Sequence, residues 1–287
     1  MKLTVTTISF GTWMKENSQL SAIQKAKEMG FENIAFSRIL PHDGSTQEQY
    51  AQKLRLECDR LGMTVSDFVF PADFIDGCDG DLNKEIARVK GMVDIAEILG
   101  TKLIRHDGSH GKSVKSFEKA LPRIAKGCAE VTDYAAKKGI RTTVENHGYF
   151  CQGSERLEKL YHAVDHENFG LLCDMGNFLC FDEDPIEAVS RVAPYTIHVH
   201  AKDFLFKRGT DVFPGEGFLR TRGGNYIRAT VLGHGVVPIV QCLSILKAAG
   251  YDGYVGLEYE GHESYEKNLE GLQASKDNME RFLSMIG

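Results

Sequence analysis

Long apolar runs are absent from this 287-residue chain. No stretch reaches the ~20 apolar residues that a membrane-spanning helix needs. The opening segment MKLTVTTISFGTW has no long apolar centre and no small-residue cleavage site, so it reads as a first strand rather than a leader. Basic runs are absent too. Lys and Arg number 34 against 40 Asp and Glu, a formal net charge of −6. That balance lacks the electrostatic footprint of a nucleic-acid binder and gives no attraction to an anionic membrane surface. There is no CxxC pair. The seven cysteines are odd in number and scattered, which predicts free thiols in a reducing, cytoplasmic compartment rather than a disulfide framework. No GxGxxG follows the first strand, so a dinucleotide-binding open sheet loses its main support. Internal repeats and low-complexity segments are also missing.

What is present is a regular alternation of strand-like and helical segments. Composition is globular, at 42% hydrophobic and 26% charged, and the length suits one large α/β barrel or two ordinary domains. Strands are expected over 3–10, 33–38, 64–70, 102–106, 141–146, 169–174, 195–202 and 254–260. Between them, apolar residues recur at steps of three and four, as in Ile86, Val89, Val93, Ala96 and Leu99. Glycines at 30, 100, 139 and 250 stand where each helix must stop. Eight strand–helix units with no linker predict a closed parallel (β/α)8 TIM barrel, one domain over 1–287. The rhythm breaks over about 204–235, a Gly- and Arg-rich stretch that reads as a long loop insertion after strand seven.

Four residues close four of these strands: Glu145 in RTTVENHG, Asp174 in FGLLCDMGN, His200 in YTIHVHAKD and Glu258 in YVGLEYEG. In such a barrel the site forms at the C-terminal strand ends. Strand alternation sets Glu145 and His147 opposite Val144, His198, His200 and Lys202 opposite Val199, and Glu258 opposite Leu257. The apolar set can pack outward and the polar set inward. Three carboxylates and an imidazole are a donor set for a hard or borderline divalent cation.

VENHG, LLCDMGN, HVHAKD and the terminal GHGVVPIVQCLSILKAAGYDGYVGLEYEG together resemble the xylose-isomerase-like sugar phosphate isomerase/epimerase superfamily. That group includes tagatose and psicose 3-epimerases, inosose dehydratase and hydroxypyruvate isomerase. The resemblance covers essentially the whole chain. It implies that Glu145, Asp174, His200 and Glu258 hold one divalent metal ion, manganese first, with magnesium, cobalt or zinc as alternatives. It also implies proton abstraction beside a carbonyl through a metal-stabilised enediolate, with Glu145 and Glu258 as the two bases. Where many members have Asp-x-x-His, this chain has Asp174 and Asn177, and Asn suits a sugar hydroxyl better than a metal.

His147, two residues past a ligand glutamate, can serve as a separate base and so suits β-elimination from a 3-keto sugar. Around the mouth, His106, Lys202, Trp13 and Asn177 are candidate substrate contacts, joined by Arg220, Arg222 and His234 of the insertion. Asp203 is expected to brace a neighbouring loop, and His198 to be a hydrogen-bonded core histidine. The first reading is a sugar or keto-polyol isomerase or epimerase. The second is a metal-dependent lyase, dehydratase or deglycosylase, acting on a 3-keto sugar or 3-keto-glycoside. The third is a non-catalytic binding or partner subunit. A small-molecule sugar partner is expected, without nucleic acid or membrane, and a homo-oligomer stays open.

Overall fold

The computed structural model describes residues 1–261 and 265–287. Among these residues eleven strands form: β1 (Lys2–Thr6), β2 (Asn33–Ser37), β3 (Thr64–Phe70), β4 (Leu103–His106), β5 (Arg141–Glu145), β6 (Phe169–Asp174), β7 (Thr196–Ala201), β8 (Asp203–Lys207), β9 (Leu219–Arg220), β10 (Tyr226–Thr230) and β11 (Tyr254–Leu257). Eight of them close a parallel barrel in the order β1-β11-β7-β6-β5-β4-β3-β2. The α-helices among the described residues are α1 (Gln19–Glu28), α2 (Gln47–Arg60), α3 (Leu82–Leu99), α4 (Phe117–Ala136), α5 (Ser154–Val164), α6 (Pro185–Val192), α7 (Ile239–Ala248) and α8 (Tyr265–Ile286).

Local chemistry sets the helix ends. Thr46 and Gln49 form a reciprocal capping box that starts α2. The stripe of Ile86, Val89, Val93, Ala96 and Leu99 is buried along α3. That helix stops at Gly100, whose φ of 74° is left-handed and favours a residue without Cβ. Among the described residues no helix is long and apolar enough to cross a membrane.

Two expectations need correction. The first strand ends at Thr6, and Thr7–Phe10 turn into a short 3-10 helix. Ser9 causes this by reaching across the barrel mouth: its hydroxyl donates to the Leu257 carbonyl (2.9 Å) and accepts from the Tyr259 amide (2.9 Å). The insertion, in turn, is not a loop throughout. It folds as a three-stranded antiparallel sheet in the order β8-β10-β9, over a small core of Phe204, Ile227 and Ala229. Asp203 pins its return to the barrel, its carboxylate accepting the amides of Phe204, Gly233, Gly235 and Val237 at 2.8–3.0 Å.

Candidate active site

Burial and strand polarity bring Glu145, Asp174, His200 and Glu258 to one point at the C-terminal mouth. One donor atom from each lies within 4.8 Å of the other three. His200 Nδ1 stands 3.6 Å from Glu145 Oε1 and 3.5 Å from Glu258 Oε1. Gly256 sits opposite His200 in the β11–β7 register and leaves room for its ring. Asp174 uses Oδ1 to accept the Gly176 and Asn177 amides at 2.8 and 3.0 Å. Among the described residues, Asp174 Oδ2 and both His200 ring nitrogens are buried without a hydrogen-bond partner. Three carboxylates crowd one buried point. Burial therefore pushes the Asp174 carboxyl up to about 7, although Lys202 pulls the other way. Orphaned ligand atoms and crowded carboxylates both fit a divalent cation.

Charged neighbours restrain two of the carboxylates. Burial would raise Glu145, but Arg105, with Nη2 2.5 Å from Oε2, holds it well below the usual carboxylate range. Burial likewise opposes ionisation of Glu258, and Lys202, 2.6 Å from its Oε2, holds it low. Lys202 also reaches Glu260 at 3.3 Å. Asn177 bridges the pair, donating to Glu145 Oε1 at 3.2 Å and accepting from Lys202 at 3.4 Å.

Sequence reading missed Asp67, Arg105 and Asp107. Asp67, on β3, is fully buried between two histidines: its Oδ1 lies 3.2 Å from His198 Nε2 and its Oδ2 3.9 Å from His200 Nε2. A carboxylate behind a ligand histidine fixes the ring orientation. Asp107, just past β4, holds His147: Nδ1 lies 2.9 Å from Oδ1, which Arg105 Nη2 also meets at 2.9 Å. Burial would raise Asp107, but Arg105 and His147 outweigh it and keep the carboxyl at about 2. The signal available was a charged residue inside an apolar strand, since a buried charge requires a partner.

These groups line a cavity of about 520 Å³ at the barrel mouth, with Arg38, Arg105, Asp107, Glu145, His147, Lys202 and Glu258 on its walls. The profile for xylose isomerase-like TIM barrels matches residues 23–284. The chain belongs to this family. Within the xylose isomerase-like family it is similar to inosose dehydratase from Clostridium perfringens, 28% identical over 156 residues, which cover 53% of this chain and 52% of that one. The chain thus spans about half the length of the curated relative it matches. Among solved structures, the IolI protein with a bound zinc atom superposes with a TM-score of 0.77 at 18% identity, covering 100% of this chain and 99% of that one. The D-psicose 3-epimerase of Clostridium cellulolyticum, solved with D-tagatose, gives 0.75 at 18%, covering 99% of each. At such identities the two structures speak for the fold.

Several candidate contacts of this xylose isomerase-like barrel lie elsewhere. His106 points out of the barrel, because its neighbour Arg105 takes the inward position. Its ring packs against Phe70 and Phe74, and burial lowers it to about 4. Trp13 is buried against Phe10, with ring centroids 5.8 Å apart, and leaves Gly11 and Met14 to face the cavity. Arg220 follows Leu219, which faces the mouth, so alternation turns Arg220 away. Arg222 lies 4.2 Å over the Phe181 ring, outside the cavity. His234 is exposed on the turn that Asp203 pins. Asn177 and Lys202 do reach the mouth.

Proposed function

We propose that this chain is a metal-dependent lyase that eliminates a β-substituent from a keto sugar or keto-polyol. The observation that carries the reading is the Asp107–His147 pair at 2.9 Å, set against two glutamates each clamped by a cation at 2.5 and 2.6 Å. A glutamate held in that way is a weak base. His147 is half exposed on the cavity wall. With Nδ1–H donated to Asp107, its Nε2 carries the lone pair that faces substrate.

Glu145, Asp174, His200 and Glu258 would hold the cation, manganese first. When bound, such an ion supplies Lewis-acid polarisation of a carbonyl. His147 Nε2 takes the proton from the carbon beside the ketone. The C–H electron pair becomes the new C=C bond as the C–O bond to the β-substituent breaks. The imidazolium returns its proton to the departing oxygen, so a hydroxyl leaves as water and His147 is neutral again. The Lys202 ammonium, which lines the same cavity, orients that oxygen. The inosose dehydratase relatives name the same reaction class.

The isomerase or epimerase reading, first on sequence grounds, keeps one observation in its favour: Glu145 and Glu258 both border the same cavity. A single experiment separates the readings. The manganese-loaded chain is incubated with inosose and a panel of keto-hexoses in deuterated water. An absorbing unsaturated ketone supports the lyase. Deuterium at one carbon with recovery of an isomeric keto sugar overturns it in favour of the isomerase. Turnover of no member of the panel leaves the binding-subunit reading in its place.

A further inference from the structure

The insertion is tied to the donor network through one short helix. That 3-10 helix spans Asn177–Phe181, just past the donor Asp174 at the end of β6. Its first residue is bonded to three groups of the centre. The Asn177 amide donates to Asp174 Oδ1 at 3.0 Å, its Nδ2 donates to Glu145 Oε1 at 3.2 Å, and its Oδ1 accepts from Lys202 at 3.4 Å. The far end of the helix is held by the insertion. Asp182 caps it with a left-handed φ of 59°. Asp182 Oδ1 accepts from the Thr221 hydroxyl and from Asn225 Nδ2, both at 2.7 Å, and its Oδ2 accepts the Gly223 amide. The Arg222 amide donates to the Cys180 carbonyl at 2.9 Å, and its guanidinium lies 4.2 Å over the Phe181 ring. The approach is close: a Cβ on Gly223 would stand 2.7 Å from Asp182 Oδ2.

We propose that the tip of the insertion, residues 221–225, is a strut for the metal centre. By gripping Asp182 it fixes the short helix, hence Asn177, and hence the aim of Glu145. Asp182 is then a positioning residue that acts at one remove from the donors. This rests on the metal-site reading above. A 3-10 helix has poorer hydrogen-bond geometry than an α-helix and occurs in short pieces, so its far end needs a hold from outside. A left-handed backbone at a residue other than glycine likewise persists where its surroundings over-determine it. The two oxygens of Glu145 are restrained from opposite sources. Arg105 holds Oε2 at 2.5 Å, while Oε1 is met by Asn177 and stands 3.6 Å from His200 Nδ1. A tilt of the helix moves Asn177 and swings Oε1, the oxygen that faces the other donors. Partners behind a metal ligand set its orientation and so its affinity.

Manganese binding to the chelator-stripped full chain, read by calorimetry, tests this apart from turnover. Asp182→Asn keeps the shape and tolerates the left-handed backbone. Both oxygens of Asp182 accept donors, so the new amide must turn its NH2 toward one of them. Manganese affinity should fall roughly five-fold. Asn177→Ala, which removes the link itself, should lower it roughly ten-fold. The double variant should match Asn177→Ala alone, because the strut works through Asn177. Gly223→Ala, which displaces the Asp182 carboxylate, should also weaken binding, and it carries the test if Asp182→Asn fails to fold. Unfolding of the metal-free chains is followed in parallel. A loss of metal-free stability with native manganese affinity marks a purely structural clasp and would overturn the proposal. A double variant weakened roughly fifty-fold, the product of two independent effects, would overturn it too. A native chain that takes up no manganese brings down the metal-site reading and the strut with it, whereas native uptake left unchanged by the variants brings down the strut alone.

Discussion

Replacing Gly256 by alanine tests the proposed metal site without touching a donor. Gly256 faces His200 across the β11–β7 pair. A Cβ built there would stand 2.6 Å from His200 Cδ2 and 3.1 Å from Nε2. Carbon atoms rest at about 3.5–4.0 Å, so the ring must move by roughly 1 Å. Metal ligands tolerate only about 0.2 Å. A metal affinity weakened roughly 10–100-fold is therefore expected, the range seen when a ligand loses its orientation. At a metal concentration about 100 times the native Kd, the native chain gains about 2.7 kcal/mol of stability, and the variant should gain only about 0.4–1.4 kcal/mol. Metal-free stability should also fall, since overpacking costs about 1–3 kcal/mol while the stiffer unfolded chain returns about 0.4–1 kcal/mol. The assay is denaturant unfolding of native and variant chains with and without manganese, with Kd by calorimetry. An unchanged metal-linked gain in Gly256→Ala would refute the placement of His200 among the ligands.

Two further outcomes follow from the charged network. Asp107→Asn keeps the shape but removes the carboxylate that fixes the His147 tautomer, so kcat should drop roughly 10²–10⁴-fold. A steady-state rate near the native value would take His147 out of proton transfer. Glu85 offers a test of acid stability away from the site: burial pushes its carboxyl up, but Arg88 at 2.6 Å and the Asp73 amide at 2.9 Å bring it below its ordinary value. A lowered folded pKa stabilises above the unfolded value of 4.5 and is lost as pH falls through the folded one. Glu85→Gln should cost about 1 kcal/mol at pH 7 and much less near pH 3, read from unfolding curves at the two pH values.

Local periodicity carried much of this structure and then stopped. The barrel strands were legible because apolar and polar residues alternate within a few positions, and the same alternation set Glu145, His200 and Glu258 inward. One frame was misread. In LIRH either Arg105 or His106 can face inward, and a shift of one residue exchanges them. Arg105 wins because Glu145 and Asp107 wait there, and Glu145 comes from the neighbouring strand. Asp67 was passed over for the same reason, since its two histidines lie on β7. The insertion hid its sheet because β9 spans two residues and only YIRAT of β10 alternates. By sequence the glutamates from Glu263 to Glu280 read as one solvated helix face; Glu263 lies outside the described residues. Glu270 and Glu280 on α8 are exposed.

The order in which the chain becomes available gives the last barrel strand an unusual burden. β11 pairs with β1 on one side and β7 on the other. Until it docks, both neighbours are open edges able to template pairing with other chains. Glu258 follows β11 by one residue, so the fourth donor arrives in the same event that seals the sheet. Such long-range closure is slow to find in folding. A cation that prefers the complete set would hold the seal shut by mass action, and scarcity of that cation during synthesis would lengthen the life of the open, aggregation-prone intermediate. Metal supply to the cell would then govern how much of this protein survives its own folding, before any substrate is met.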